Sequence, residues 1–151
     1  MDIREKIIDS TQEIFSTMVM MEISVGDEQV ESRRILSDSI SGIIGLAGTH
    51  KGVLAIHLPK IVAMAITSSF LGMEVEEIGP DVEDAVGELA NMLGGNIKTI
   101  LSQNGRDIEL SMPTTISGKE YDFQPTKDAE QVVIPFLTEA GRFIVELQLE
   151  K

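Results

Sequence analysis

Cysteine is absent from this chain. That excludes a disulfide framework and thiol chemistry, and it is compatible with a cytoplasmic location. Histidine is scarce, with only His50 and His57. Two separated imidazoles and no thiolate argue against a zinc site. Long apolar runs are missing as well. The most apolar stretch, residues 61–73, is too short to span a bilayer and contains Thr67, Ser68 and Ser69. The opening residues, MDIREKIIDSTQEIF, carry charges throughout and lack an apolar core, so they are not read as a signal peptide. There is no P-loop, no Gly-rich dinucleotide fingerprint and no evident nucleophile–base pair.

Positive charge is the other shortage. Twelve Lys and Arg stand against 25 Asp and Glu, a net charge of −13. Nucleic acid and anionic lipid would repel such a surface, and no basic cluster with interleaved aromatics offsets it. A partner with a basic docking surface is expected instead. What remains, at 151 residues with 42% hydrophobic and 25% charged residues, is enough for one soluble domain, residues 1–151, with a real core.

Periodicity gives an order of elements. Ile3, Ile7, Ile14 and Met18, joined by Phe15, recur at helical spacing over residues 3–20. The methionines that follow, up to Met21, read as adaptable core filler before a polar stretch at 26–34. Residues 35–47 and 52–58 read as two strands, joined by a turn whose Gly48 and Gly52 supply positive φ. A helix at 61–71 follows, ended by Gly72. Gly79-Pro80-Asp81 then opens a long helix, with Asp81 as its N-cap and Asp84 as an imperfect capping-box partner. Gln103-Asn104-Gly105 closes it. Residues 108–112 form a strand that stops at Pro113, residues 118–129 a loop or poorly patterned hairpin, and residues 131–137 and 141–149 a final hairpin. The fold class is α+β: an antiparallel sheet with packed helices, in the order α-β-β-α-α-β-β-β.

The long helix is the most informative segment. Asp84, Glu88 and Asn91 fall within about 60° of one another at about 100° per residue, while Val82, Val86, Leu89, Leu93, Ile97 and Ile100 share the opposite face. Gly87, Gly94 and Gly95 flank the polar stripe on what is expected to be its solvent side. Each costs about 1 kcal/mol relative to alanine. Two readings stand on these residues alone: a solvated face with a bend, or a surface cleared for close approach of something else. Asp84 has a structural reading of its own, as part of the helix start.

Asp84-x3-Glu88-x2-Asn91, followed by Pro113 twenty-two positions after Asn91, resembles the signature of the CheC/CheX/FliY phosphatases of bacterial chemotaxis. The order of elements is similar too, over nearly the whole chain. The resemblance implies a hydrolase acting on the phospho-aspartate of a CheY-like response regulator in two-component signalling. It implies Asn91 as the residue that holds the attacking water and Glu88 as the one that docks on a receiver lysine. Asp84, Gly87, Gly94, Gly95, Lys98 and Pro113 would line the partner surface. No cofactor of its own is implied; Mg2+ belongs to the phosphorylated receiver. A fainter echo, Asp9-x3-Glu13-x2-Ser16, has Ser16 in place of the asparagine, so the first copy looks inactive and the chain resembles the single-site CheX branch. The alternative within the fold is a non-catalytic, dimeric receiver-binding or flagellar-switch-like module. A homodimer is expected, because residues 131–137 look like an apolar strand at a sheet edge.

Overall fold

Side chains alternate along a strand, so residues 40–46 are shared between two faces of a sheet. Ile40, Gly42 and Ile44 face helices; Ser41 faces the other way. The computed structural model describes residues 3–26, 34–102, 104, 106–123 and 129–150. Its elements are α1 (Ile3–Ile14), β1 (Ser24–Val25), β2 (Arg34–Gly48), β3 (Gly52–Pro59), α2 (Lys60–Leu71), α3 (Pro80–Leu101), β4 (Ile108–Leu110), β5 (Thr114–Phe123), β6 (Ala129–Thr138) and β7 (Gly141–Glu150). The strands form one seven-stranded sheet in the order β1-β6-β7-β3-β2-β4, with β5 also paired to β2, and every pairing is antiparallel. The three helices pack together and on the sheet, α3 against β2 above all. This is the expected α+β class.

The helix–sheet layer holds the core. Leu54, Ile56 and Leu58 of β3, Val145 and Leu147 of β7, and Val86, Leu89 and Leu93 of α3 are all buried in it. Phe15 stacks on Phe143 at 5.0 Å between ring centroids, and Phe143 on Phe136 at 5.3 Å. This aromatic column joins the first helix to β7 and β6. Among the described residues, no helix is long and apolar enough to cross a membrane.

Several expectations about single elements change. The first helix is α-helical only to Ile14; Phe15–Val19 is a π turn, closed by Met20 at φ 63°. One extra residue per turn rotates the register. Val19 is therefore buried, while Met18 and Met20 are 51% and 73% exposed, and of the three methionines only Met21 packs on the core. Gly48 has φ +117°, but Gly52 is needed for a different reason: a Cβ there would stand 1.9 Å from the Gln148 carbonyl oxygen. Residues 118–123, expected as a loop or a poorly patterned hairpin, continue β5. Its side chains show no clean alternation of burial, and its strand state comes from pairing with β2. Residues 124–128 and most of the 26–34 stretch lie outside the described residues.

Strand β6 is not a bare edge. β1 pairs with it at Leu137 and Phe136, Gly26 N–H donates to the Pro135 carbonyl at 2.9 Å, and the Arg4 guanidinium donates to the Val133 carbonyl at 2.9 Å. The expectation of an unprotected strand at 131–137 is corrected accordingly.

Candidate functional site

Helix α3 starts with Pro80 at its first position, after Gly79 as N-cap with extended backbone and no side-chain cap bond. Asp81 is thus not the N-cap. It sits in the first turn with Glu83, where carboxylates complement the helix dipole, and Lys98 does the same at the other end. Asp84, freed of a capping-box role, is exposed. The helix ends at Leu101 with Ser102 as C-cap, just before the expected Gln103-Asn104-Gly105; Gln103 and Gly105 lie outside the described residues.

The polar stripe forms as its spacing predicts. Asp84, Glu88 and Asn91 are exposed; Val82, Val86, Leu89, Leu93 and Ile97 are buried, and Ile100 is partly buried. Among the described residues, no hydrogen bond or ion pair engages the side chains of Glu88 or Asn91. A carboxylate and a carboxamide therefore stand on a rigid helix with their hydrogen-bonding capacity open to a partner. Lys98 follows Asn91 two turns on along the same stripe and is partly buried.

The glycines divide between two tasks. Gly94 is buried, contrary to the expected solvent side. A Cβ there would meet Ile44 Cδ1 and Cγ2 at 3.1 Å, so its absence lets α3 close onto β2. Gly87 is buried beside the ring of Pro113, whose Cβ and Cγ would lie 4.0 Å from an added Cβ. Gly95, one turn beyond Asn91, faces open space. Helix α3 and Pro113 are thus brought together, with Gly87 at the seam.

Ser111 and Met112, expected as the end of a strand over 108–112, lie beyond β4, which stops at Leu110, and they hold that seam. They occupy the break between β4 and β5, both of which pair with β2. Ser111 N–H donates to the Gly45 carbonyl at 2.9 Å, Gly45 N–H donates to Ser111 Oγ at 2.8 Å, and Ser111 Oγ donates to the Met112 carbonyl at 3.0 Å. The available signal was a Ser-Met-Pro step ending a strand pattern.

On the opposite face of the sheet lies a buried polar chain. Tyr121 OH is 2.8 Å from Ser41 Oγ, Ser41 Oγ is 2.7 Å from His57 Nδ1, and His57 Nε2 is 3.3 Å from Glu146 Oε1. Gln148 Nε2 donates to Glu146 Oε2 at 2.9 Å. With the imidazole proton on Nε2, Tyr121, Ser41 and His57 each donate once along the chain, which ends on the accepting carboxylate of Glu146. Ser41, His57, Glu146 and Gln148 are all buried. Tyr121 pairs in register with Leu36, yet it reaches Ser41, and Phe123 packs edge-on against His57 at 4.6 Å. The β2–β5 pair must therefore bend over this face, and Asp38 at φ 43° lies in the bend. His57 is satisfied within the fold, and among the described residues no group of His, Cys, Asp and Glu is arranged to hold a metal.

The Asp9, Glu13 and Ser16 echo lies on the exposed side of the first helical segment. Ser16 Oγ is turned back to the Glu13 carbonyl at 3.2 Å.

Comparison with known proteins agrees with this fold. A curated relative, "CheY-P phosphatase CheX" of Thermotoga maritima, is 27% identical over 115 residues, 76% of this chain and 74% of that one. The crystal structure of a chemotaxis protein CheX from Desulfovibrio desulfuricans superposes with a TM-score of 0.85 at 28% identity, covering 99% of this chain and 100% of that one. A CheX–CheY–BeF3–Mg2+ complex from Borrelia burgdorferi shares the fold, with a TM-score of 0.75, 20% identity and 99% coverage of both chains. The family model described as "Chemotaxis phosphatase CheX" matches residues 40–137, and the chain belongs to that family.

Proposed function

We propose that this chain hydrolyses the phospho-aspartate of a CheY-like response regulator. The observation that carries the reading is the pair Glu88 and Asn91, exposed and unengaged on α3, with Pro113 seated at Gly87 beside them. Water attacks phosphorus in line with the aspartyl oxygen. The phosphorus–oxygen bond to aspartate breaks, and the carboxylate and inorganic phosphate are released. In-line phosphoryl transfer is governed by positioning and electrostatics. Asn91 holds the water through its carbonyl oxygen and an N–H. Glu88 pairs with a lysine of the receiver and sets the docking register. Asp84, Gly87, Gly95, Lys98 and Pro113 border the contact. Gly94, turned into the core, acts only by letting α3 lie close to the sheet. The receiver brings the phosphoryl group and its Mg2+; this chain supplies no cofactor.

The test is decay of the acyl phosphate on a CheY-like receiver, labelled by a small phosphodonor in the presence of Mg2+, with and without the purified chain. An acceleration of about a hundredfold, equivalent to about 2.7 kcal/mol, is expected. Binding without acceleration would favour the non-catalytic, flagellar-switch-like module. The proposed assembly is a two-fold homodimer with both motif helices outward, one receiver per chain. Among the described residues β5 offers an open strand edge for it, while β1, Gly26 and Arg4 take up β6 between Val133 and Leu137. Light scattering at micromolar concentration giving a monomer mass would reject it.

A further inference from the structure

Resting on the phosphatase reading, we infer that Met112 is the apolar anchor of the docking face and a determinant of which receiver is accepted. At 85% exposure, Met112 stands further into solvent than any other large hydrophobic side chain among the described residues. Exposure alone would say little. The base beneath it says more. On one side Ser111 is tied to Gly45 by two hydrogen bonds, 2.9 and 2.8 Å, and Ser111 Oγ holds the Met112 carbonyl. On the other side Pro113 restricts the backbone of the residue before it and rests at Gly87. An unbranched apolar side chain is therefore presented from a fixed stalk, one residue from the Pro113–Gly87 seam and so within about 10 Å of the motif helix backbone. Such a residue contributes contact area without first ordering its own backbone.

The occupant follows from charge and position. Asp81, Glu83, Asp84 and Glu88 are exposed along the start of α3. An apolar knob beside an acidic stripe fits a receiver face with a basic rim around an apolar depression. The phosphoryl group would sit toward Asn91 and the depression toward Met112. Central apolar anchors with a polar surround are the usual carriers of interface energy.

The experiment uses the full chain and a CheY-like receiver loaded with beryllofluoride and Mg2+ as a phosphoryl mimic. Titration gives Kd, and phosphate decay on the labelled receiver gives KM and kcat. Met112→Ala and Met112→Gln should each raise Kd and KM about tenfold. Both should leave kcat and Tm unchanged, and Met112→Leu should bind like the wild type. If the wild type binds and Met112→Ala binds equally well, the anchor role is overturned while the phosphatase reading stands. A fall in kcat at unchanged KM also overturns it. If the wild type neither binds nor dephosphorylates the receiver, the phosphatase reading fails and this inference goes with it.

Discussion

Gly42 of β2 lies directly beneath Val86 of α3: a Cβ on Gly42 would begin 2.9 Å from Val86 Cγ1 and 3.0 Å from the Val86 carbonyl oxygen, with Ala90 Cβ at 3.1 Å. The helix that carries Glu88 and Asn91 is thus set on the sheet at backbone distance. Gly94 repeats the arrangement further along, admitting Ile44. The polar stripe takes its height above the sheet from these two small residues and is held by packing rather than by contacts of its own.

Gly42→Ala should therefore disturb both stability and site. The neighbours it meets include main chain, which cannot rotate away, so overpacking of about 1–3 kcal/mol is expected. Thermal unfolding should fall by about 2–4 °C for each kcal/mol in a domain of this size. An unchanged Tm, measured by circular dichroism, would mean that α3 and β2 are not in this contact.

Asn91→Ala removes only an exposed side chain. The fold should be kept, with Tm unchanged, while receiver dephosphorylation drops by about a hundredfold through kcat, the effect of losing a held water and its amide. Wild-type decay rates in this variant would refute the water-positioning role.

Glu88→Gln separates docking from chemistry. Loss of the charge should raise the Kd for the phosphorylated receiver, and added salt should weaken the wild type in the same direction because exposed ion pairs are screened. The variant should also lose most of that salt dependence. Equal binding by Glu88→Gln and wild type would remove the lysine-docking assignment.

Sequence periodicity places the candidate site residues on one exposed face because they lie on one long helix, where exposure follows from angle alone. Asp84, Glu88 and Asn91 needed no tertiary information to be placed on one face. The glycines did. Gly94 reads as a gap on the helical wheel, and it takes Ile44, fifty positions earlier, and Leu110 to turn that gap into a packing contact. β5 was hidden for a similar reason. TTISGKEYDF has no clean alternation, and its strand state is imposed by β2 and by the bend that brings Tyr121 to Ser41. Local patterns also missed the π turn at Phe15–Val19, whose extra residue exchanges Met18 for Val19 in the core.

The bend over the polar chain has its own spectroscopic probe, because Tyr121 is the only tyrosine in the protein. Burial raises the pKa of its phenol above the ordinary value, with the Ser41 hydrogen bond acting in the opposite sense. Tyrosinate absorbance of the folded chain should therefore rise at higher pH than in the unfolded chain, whose tyrosine titrates near the ordinary value of about 10. The sign for stability follows. The folded state holds its proton longer than the unfolded state, so the contribution of Tyr121 is full below the ordinary phenol value and is lost as pH rises through the folded one. Tyr121→Phe should lower stability at neutral pH by about 0.5–1.5 kcal/mol for the lost hydrogen bond to Ser41. It should also show a shallower alkaline decline than the wild type, the difference between the two curves isolating this group from the lysines. A folded-state tyrosine titrating at the unfolded value would show that β5 does not close over Ser41 and His57 in solution.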